Sequence, residues 1–442
     1  MVKVAIGGYN DTLALYELDI NGGPAKPLGG TQGKHASWLV PHPSVSDIWF
    51  ATSEIDPGAV GVYQVNQEGP LVLVGSHPTG GSSPCHLAVS DDGADLFAGN
   101  YMSGDVSVIG ILKAPPYLGV QNGDQIVQHP SQVIPFAYTV PATGEPQGSF
   151  NPSRQEGSHP HQILVLGAPH NEVLVADLGS DKIWRLQKTG NHAYAVRGYV
   201  PFPVGSGPRH AVLIDNVLYT VCELSNQLAA NRLPPLPAPA EPIAYLPTLP
   251  TPATLKGATS TSGGKVLLPS ELAYTSSVPS TPPEPEDDPM AEANKELAIP
   301  PPAEEAGKAA IDNEPPKPAL AAEILAPLPL VDGAPRLLYV SNRNEIAPPH
   351  TAIGDIGGDT IATFSLVPNF ALVERVRTGV NHARAVAFSD DGRHLVVVGQ
   401  DGGGANLFAR EPETGKLVYV RNIVSSKETG GPTLPTSVTF VG

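Results

Sequence analysis

Seven stretches of the chain share one pattern of apolar and polar positions. Each begins with an apolar run, continues through a turn of small and polar residues, and ends in a second run in which apolar and polar residues alternate. Such a pattern is typical of a β-hairpin, because successive side chains of a strand point to opposite faces of its sheet. The seven stretches cover residues 3–19, 47–65, 95–111, 172–188, 217–230, 336–366 and 394–411. The sequence therefore predicts an all-β chain built from repeated hairpins.

The spacing of the hairpins predicts how they are arranged. Glu54 and Asn100 are 46 residues apart, and so are Asp177 and Glu223, at equivalent places in their hairpins. Repeats of roughly 40–50 residues are typical of propeller blades with four strands each. We therefore predict a seven-bladed β-propeller, with these four side chains at the same end of inner strands and close to one mouth of the central channel. The last predicted strand, Pro435–Val441, is expected to pair with N-terminal strands and close the ring.

One long segment interrupts the repeat within this single predicted domain of residues 1–442. Residues 232–319 are rich in Pro, Ala and Glu and have no apolar periodicity. A segment of this composition buries too little apolar surface to offset the entropy of ordering it, so we predict a disordered low-complexity insertion. Two short apolar segments, Val266–Tyr274 and Leu320–Leu325, are candidates for ordered structure, and the second is expected to belong to the propeller. A smaller extra loop is predicted around Ala114–Glu156.

Composition narrows the possible partners and location. The net charge is −17 and the pI is near 5.1, and no basic stripe is present, so nucleic-acid binding is not expected. No apolar run approaches the roughly 18 residues of a membrane span, and the first residues lead directly into a strand rather than a signal peptide. Cys85 and Cys222 are isolated, which favours buried thiols in a reducing compartment. We expect a cytoplasmic protein without membrane contact; the oligomeric state is not predicted.

Four residues are the strongest candidates for chemistry. His161 and Arg209 directly follow His-Pro and Gly-Pro steps, and proline fixes an extended, rigid backbone at such positions. Arg209 and Arg343 are candidates to bind a carboxylate or phosphate, because a guanidinium group makes paired hydrogen bonds to both. His161 and Glu223 are candidate general acid–base groups. Together they suit a small anionic substrate whose neutral ring is opened or closed through proton transfer.

Each candidate also has a structural interpretation. Glu223 and Arg209 would equally form a structural ion pair, and His161 would equally pack between blades. Asp177 is more typical of a cap on the turn that follows it, and His159 and His210 are more typical of structural histidines. The accessory candidates are Glu54, Asn100, Asp177 and His210, which lie at or beside the predicted mouth.

At these residues the chain resembles the seven-bladed propeller lactonase family, which includes bacterial-type 6-phosphogluconolactonase and fungal carboxy-cis,cis-muconate cyclase. The resemblance rests on the ordered segments GSHPHQILVL, DLGSDKIWRL, GSGPRHAVL, CELSNQL and LLYVSNRN. It implies a site of His161, Arg209, Glu223 and Arg343, with the arginines binding an anion and His and Glu handling protons. The sequence departs from the family pattern after Arg343, where a longer loop begins, and at His382–Arg384. Both departures border the predicted mouth.

The residues leave several functions open. The leading hypothesis is hydrolysis of an anionic sugar lactone, as in a 6-phosphogluconolactonase. The alternative is a lactone-forming cycloisomerase that acts on a carboxylated muconate, which the Pro- and Ala-rich insertion slightly favours. Two further alternatives are a Ca²⁺-dependent lactonase, with Glu54, Asn100 and Asp177 as oxygen ligands, and a non-catalytic interaction propeller. No metal or cofactor motif is present, so the leading hypothesis requires neither.

Overall fold

The computed structural model describes residues 1–66, 69–139, 150–249, 318–345, 357–425 and 434–441. The strands in these ranges, in chain order, are β1 (Val2–Gly8), β2 (Thr12–Leu18), β3 (Lys26–Gln32), β4 (Leu39–Pro41), β5 (Ile48–Ser53), β6 (Ala59–Gln64), β7 (Val72–Pro78), β8 (Pro84–Val89), β9 (Asp95–Asn100), β10 (Asp105–Gly110), β11 (Val120–Asn122), β12 (Gln125–Val127), β13 (Gln132–Pro135), β14 (Pro160–Leu166), β15 (Glu172–Asp177), β16 (Lys182–Gly190), β17 (Ala193–Pro201), β18 (Pro208–Ile214), β19 (Val217–Cys222), β20 (Gln227–Arg232), β21 (Glu241–Pro247), β22 (Leu320–Leu325), β23 (Leu337–Arg343), β24 (Thr360–Ser365), β25 (Leu372–Arg377), β26 (Asn381–Phe388), β27 (His394–Gly402), β28 (Ala405–Arg410), β29 (Leu417–Val424) and β30 (Pro435–Val441). Within these ranges no helix is long and apolar enough to cross a membrane.

The strands form seven antiparallel sheets of four strands, which confirms the predicted seven-bladed propeller. In chain order the blades are β4–β7, β8–β10 with β13, β14–β17, β18–β21, β22–β25 and β26–β29, and β1–β3 form the remaining blade with β30. The small hairpin β11–β12 lies in the loop of the second of these blades.

The last strand closes the ring as predicted. β30 pairs antiparallel with β1, from Lys3 opposite Val441 to Gly8 opposite Pro435. β30 also contacts the first strands of both neighbouring blades, β26 and β4. The first and last parts of the chain therefore share one blade, in which pairing with β30 covers the inner edge of β1.

The first strand of six blades, and β30 in the closing blade, lie nearest the axis, because these strands contact one another from blade to blade. The second strands of four blades end at or directly before Glu54, Asn100, Asp177 and Glu223. These residues were predicted to lie on the inner strands, so that prediction was wrong by one strand. Antiparallel pairing nevertheless brings the start of each first strand to the end of its second strand, as where Pro160 pairs with Asp177. The predicted convergence on one mouth therefore holds, although two layers of strands supply it.

The predicted insertion begins too early in the sequence. The strand Glu241–Pro247 lies within residues 232–319 and pairs with Gln227–Arg232 as the outer strand of its blade. The segment Leu320–Leu325 is the first strand of the next blade, as predicted. Residues 250–317, including the predicted segment Val266–Tyr274, lie outside the described residues.

Apolar side chains between neighbouring blades form the core. The second strands are buried on both faces, as in Ile48–Ser53 and Val217–Cys222. One core cluster joins the closing strand to the last blade and includes Val4, Tyr16, Leu407 and Phe440. Ring closure is thus stabilised by side-chain packing as well as by backbone hydrogen bonds.

We predict that Phe440→Ala lowers the free energy of unfolding by about 3–5 kcal/mol, because it empties part of this core cluster. The matched control is Leu328→Ala, whose side chain is 68% exposed and which should change stability by less than about 0.5 kcal/mol. Urea denaturation followed by tryptophan fluorescence measures both variants. Equal, small effects would contradict the role assigned to the closing strand.

Candidate active site

β-Bulges aim one histidine and two arginine side chains at the axis. Pro160 pairs with Asp177 and Gln162 with Ala176, so His161 is an extra residue between two paired positions. Arg209 has the same place between Pro208 and His210, and Arg384 between Ala383 and Ala385. A bulge interrupts the ladder and redirects the side chain of the extra residue. The same local irregularity in three blades therefore brings His161, Arg209 and Arg384 toward one region.

The turn before Arg209 is held by a buried aspartate. Asp181 accepts backbone hydrogen bonds from Gly205 and Gly207, each at 2.8 Å. Gly207 has a φ of +61°, and a Cβ atom there would lie 2.6 Å from the Leu224 side chain, so the turn requires glycine. The carbonyl of Gly207 in turn accepts the Glu223 amide at 2.7 Å. One turn thus fixes the backbones of both Arg209 and Glu223.

Glu223 is the centre of the site. Its Oε2 lies 2.6 Å from Nη2 of Arg343 and 2.8 Å from Nε of Arg209, and its Oε1 accepts a hydrogen bond from Nη2 of Arg154 at 3.0 Å. The Glu223 side chain is only 1% exposed. Three of the four predicted residues, Arg209, Glu223 and Arg343, therefore meet directly.

The arginines determine the charge state of Glu223. Burial alone would raise its pKa, but Arg343, Arg154 and Arg209 outweigh burial and hold the pKa well below its ordinary value. Burial lowers the pKa of Arg343 to about 10, which still leaves it charged at neutral pH. The centre of the site is therefore one carboxylate surrounded by guanidinium groups.

A chain of side chains leads from this centre to His161. Nη1 of Arg209 donates to Oε1 of Glu323 at 3.1 Å, and the other carboxylate oxygen lies 2.7 Å from Nδ1 of His210. Nε2 of His210 lies 3.2 Å from Nδ1 of His161. Burial lowers the pKa of His161 well below 6.5, and Arg209 and His210 lower it further. His161 is therefore neutral at physiological pH.

A third acidic side chain, Glu54, lies at the mouth beside Tyr9. The hydroxyl of Tyr9 donates to Oε1 of Glu54 at 3.1 Å, and the guanidinium of Arg384 lies 4.8 Å from the centre of the Tyr9 ring. Burial raises the pKa of Glu54, and Arg384 opposes that shift. The accessory candidate Glu54 thus lies at the mouth with an arginine beside it.

Sequence reasoning missed three charged residues of this site. Arg154 comes from the loop before β14 and also donates to the Tyr101 hydroxyl, at 3.3 Å from Nε and 3.2 Å from Nη2. Glu323 is the sole charged residue of the apolar strand Leu320–Leu325, and that contrast could have marked it. Arg384 is itself the extra residue of its bulge, and the departure from the family pattern at His382–Arg384 was a signal for it. Arg154 offered one signal, as a basic residue just before the HPH segment.

The other accessory candidates are bonded within their own blades. Asn100 donates to Asp105 at 2.6 Å and to Ser107 at 2.8 Å. Asp177 accepts from Ser158 at 2.6 Å, from the Trp184 indole at 2.8 Å and from the Ser180 amide at 3.1 Å. The predicted turn cap at Asp177 is therefore confirmed.

The remaining histidine and cysteine candidates are structural. His159 bonds to the Tyr101 carbonyl at 2.8 Å and to Glu156 at 2.9 Å, so its two ring nitrogens are engaged within the mouth loops. Both cysteines are buried and free, and burial raises the pKa of each thiol. Among the residues that the structure describes, no group of three or more His, Cys, Asp and Glu side chains is placed to hold a metal ion.

Electrostatically, the site is built to receive an anion. Four guanidinium groups, from Arg343, Arg154, Arg209 and Arg384, act on Glu223 through their charges, so cationic groups predominate around this carboxylate. Behind Glu323, on the same axis, lies a cavity of about 330 Å³ with a mostly apolar lining. Buried guanidinium donors can bind an anionic substrate, and a neutral imidazole beside them can accept a proton from it or from water.

Comparison with protein families supports this assignment of the fold. A family model described as "Lactonase, 7-bladed beta-propeller" matches residues 3–276 and 317–433. Residues 277–316, which the model leaves unmatched, lie within the predicted insertion.

Two curated proteins are similar in sequence. The 6-phosphogluconolactonase of Bacillus subtilis is 25% identical over 381 residues, which cover 83% of this chain and 78% of that protein. A probable 6-phosphogluconolactonase of Arthroderma benhamiae is 26% identical over 231 residues, 51% of this chain and 54% of that protein.

Solved structures share the fold. The periplasmic gluconolactonase of Pseudomonas aeruginosa superposes with a TM-score of 0.66 at 20% identity and covers 100% of this chain and 99% of its own. A protein from Lactobacillus plantarum gives a TM-score of 0.66 at 19% identity, with the same coverage. At this identity the likeness concerns the propeller itself.

We predict that Glu223→Gln lowers the free energy of unfolding by about 3–5 kcal/mol, because the change leaves three buried guanidinium groups without their shared counter-charge. Inorganic phosphate should restore much of the loss by taking the place of the carboxylate. Thermal unfolding with phosphate, against sodium chloride at equal ionic strength, measures the effect.

The matched control for this prediction is Glu172→Gln. Glu172 is an equally buried carboxylate, 2.7 Å from Nε of Arg185, at the opposite end of the propeller. This variant should be destabilised without recovery in phosphate. Equal recovery of the two variants would show that the anion acts elsewhere.

Proposed function

The chain belongs to the 7-bladed β-propeller lactonase family, and from this premise we propose that it hydrolyses a phosphorylated sugar lactone of the 6-phosphogluconolactone type. The observation that carries the proposal is the convergence of Arg154, Arg209 and Arg343 on Glu223 in a buried mouth beside neutral His161. The names of the two curated relatives support a phosphorylated lactone as substrate.

In this proposal the arginines bind the anionic parts of substrate and product. Guanidinium groups make paired, charge-assisted hydrogen bonds to phosphate and carboxylate, each contributing about 1.5–3 kcal/mol. A lactone becomes a carboxylate on hydrolysis, and its carbonyl oxygen becomes an oxyanion on the way. Preformed cationic donors stabilise that developing charge more than the neutral ground state, which is what lowers a barrier.

His161 is better suited than Glu223 to accept a proton. Glu223 has a strongly lowered pKa and both of its oxygens contact arginines, so as a base it would be weak. Its role in the proposal is to hold the guanidinium groups in place. His161 is neutral and carries an available ring nitrogen.

Hydrolysis then proceeds by addition of water to the carbonyl and opening of the ring. His161 takes one proton from water while the water oxygen bonds to the lactone carbonyl carbon, and the carbonyl oxygen becomes negative. The ring C–O bond breaks as the carbonyl re-forms, and the imidazolium returns its proton to the leaving ring oxygen. The product is an open-chain hydroxy acid, which ionises to the carboxylate.

Lactone formation from a carboxylated muconate is the second candidate. It would use the same arginines to bind two carboxylates, and the guanidinium of Arg384, 4.8 Å from the centre of the Tyr9 ring, is a further cation for a substrate with two anionic groups. The names of the curated relatives favour hydrolysis over this reaction.

We predict that the protein hydrolyses 6-phosphoglucono-1,5-lactone with a kcat/KM well above that for glucono-1,5-lactone. Arg343→Met should lower kcat/KM for the phosphorylated lactone by roughly 10–150-fold, the loss of one charge-assisted interaction. Arg393→Met, at an arginine whose side chain is 55% exposed, is the control and should keep full activity.

Proton release in a weakly buffered assay, corrected for spontaneous hydrolysis, gives the rates. Turnover of a carboxylated muconate without lactone hydrolysis would favour the second candidate. Turnover of neither substrate would rule out both.

We predict that kcat/KM stays level as the pH falls through 6.5, because His161 must be neutral to accept a proton and its pKa lies well below that value. The second pKa of a phosphate group is about 6, so the activity on a phosphorylated lactone would change with pH through ionisation of the substrate alone. Glucono-1,5-lactone, which has no such group, therefore provides the matched profile. A fall of activity with an apparent pKa at or above 6.5 for both lactones would contradict a depressed pKa at His161.

A further inference from the structure

We propose that Glu323 and His210 are positioning residues that fix the tautomer of His161, so that Nε2 of His161 carries the lone pair that accepts the proton from water. The inference rests on the proposed function, in which His161 is the base. It gives Glu323 and His210 a role beyond the ion pair that Glu323 makes with Arg209.

Glu323 carries a negative charge. Burial would raise its pKa, but His210 and Arg209 outweigh burial and lower the pKa to about 2. An ionised carboxylate only accepts hydrogen bonds. Since one carboxylate oxygen lies 2.7 Å from Nδ1 of His210, that nitrogen must carry a hydrogen and donate it.

His210 is neutral, and its hydrogen bond to Glu323 fixes its tautomer. Burial lowers the pKa of His210, and although Glu323 opposes this shift, the net change is downward. A neutral imidazole has one N–H and one lone pair, so protonation at Nδ1 leaves the lone pair on Nε2. His210 therefore offers an acceptor, not a donor, to its neighbour.

His210 in turn fixes the tautomer of His161. Nε2 of His210 lies 3.2 Å from Nδ1 of His161, and a hydrogen bond there requires Nδ1 of His161 to be the donor. His161 is neutral as well, so its own lone pair is on Nε2. Within the part of the chain that the structure describes, this Nε2 has no hydrogen-bond partner, which leaves it available to water.

The groups around the two rings are cationic or neutral apart from two carboxylates, Glu323 and Glu223, which both act on His210 through their charges. Arg209, Arg343 and Arg384 act on His161 through their charges, and each disfavours its protonation. His86 lies 5.6 Å from His210, ring to ring, and burial holds its pKa well below 6.5; Trp38 lies 5.5 Å from the same ring. Glu323 is thus the carboxylate in line with the pair, and it stabilises the imidazolium that forms when Nε2 takes up a proton.

Glu323→Gln tests the inference with almost no change of shape. The amide can present its NH₂ group to Nδ1 of His210, which would reverse both tautomers and place the hydrogen of His161 on Nε2. We expect kcat for the phosphorylated lactone to fall on the order of 10²–10⁴-fold, as when the carboxylate behind a catalytic histidine is made an amide. KM should change much less, because the anion-binding arginines remain.

Two variants separate positioning from stability. Glu323→Asp keeps the carboxylate and should recover part of kcat. Glu172→Gln also breaks a buried carboxylate–arginine pair, but at the opposite end of the propeller, and should leave kcat and the histidine tautomers unchanged. A Glu323→Gln variant with kcat within a few-fold of wild type would overturn the inference.

The tautomer itself is measured independently of activity. Nitrogen-15 NMR distinguishes protonated from bare imidazole nitrogens, and the spectrum of His161→Gln identifies His161 among the thirteen histidines. We expect a bare Nε2 in the wild type and a protonated Nε2 in Glu323→Gln. A protonated Nε2 in the wild type would overturn the inference even if the lactone is hydrolysed. If no lactone is hydrolysed, the proposed function fails, while the NMR result still decides the hydrogen-bond chain.

Discussion

The site depends on the burial of one carboxylate among arginines from separate parts of the ring. Glu223 follows β19, while Arg209 lies on the neighbouring strand of its blade, Arg343 on the next blade and Arg154 on a mouth loop. Removing a charge from water costs several kcal/mol, so none of these groups is stable in this place without the others. The pairing therefore ties two blades and a loop together at the mouth. It also explains why a closed ring, which fixes the distances between blades, is needed to hold it.

The repeat and its deviations contribute differently. Seven similar hairpins predict the propeller, because strand periodicity and blade spacing are properties of local sequence. The chemistry depends on small irregularities in that repeat. The bulges at His161, Arg209 and Arg384 each insert one residue at the start of a first strand and turn its side chain from the sheet toward the axis. The symmetric scaffold thus supplies the geometry, and the bulges supply the histidine and two of the arginines.

This division sets how much of the site could be predicted from sequence. Arg209 and His161 follow proline steps and Glu223 ends a recognisable strand, so local patterns predict them. Glu323 and Arg154 lie beside the two long interruptions of the repeat, where no register links them to the other blades. Their positions in the site depend on how the blades are arranged around the axis. Ring closure determines that arrangement, and no local sequence pattern does. The predicted boundary of the insertion was wrong for a related reason: the outer strand Glu241–Pro247 lies among prolines, and an outer strand has one unpaired edge that tolerates them.

The charges of the free site bear on its selectivity. In the absence of substrate, Glu223 already occupies the positions that a bound anion would use on three arginines. A ligand must therefore offer more than one negative oxygen to compete, since a single hydrogen bond would not compensate for a disturbed buried ion pair. A phosphate or a carboxylate meets this requirement, because either contacts a guanidinium group through two oxygens. The oxyanion develops only as the carbonyl is attacked, so preformed guanidinium donors stabilise the transition state more than the neutral ground state.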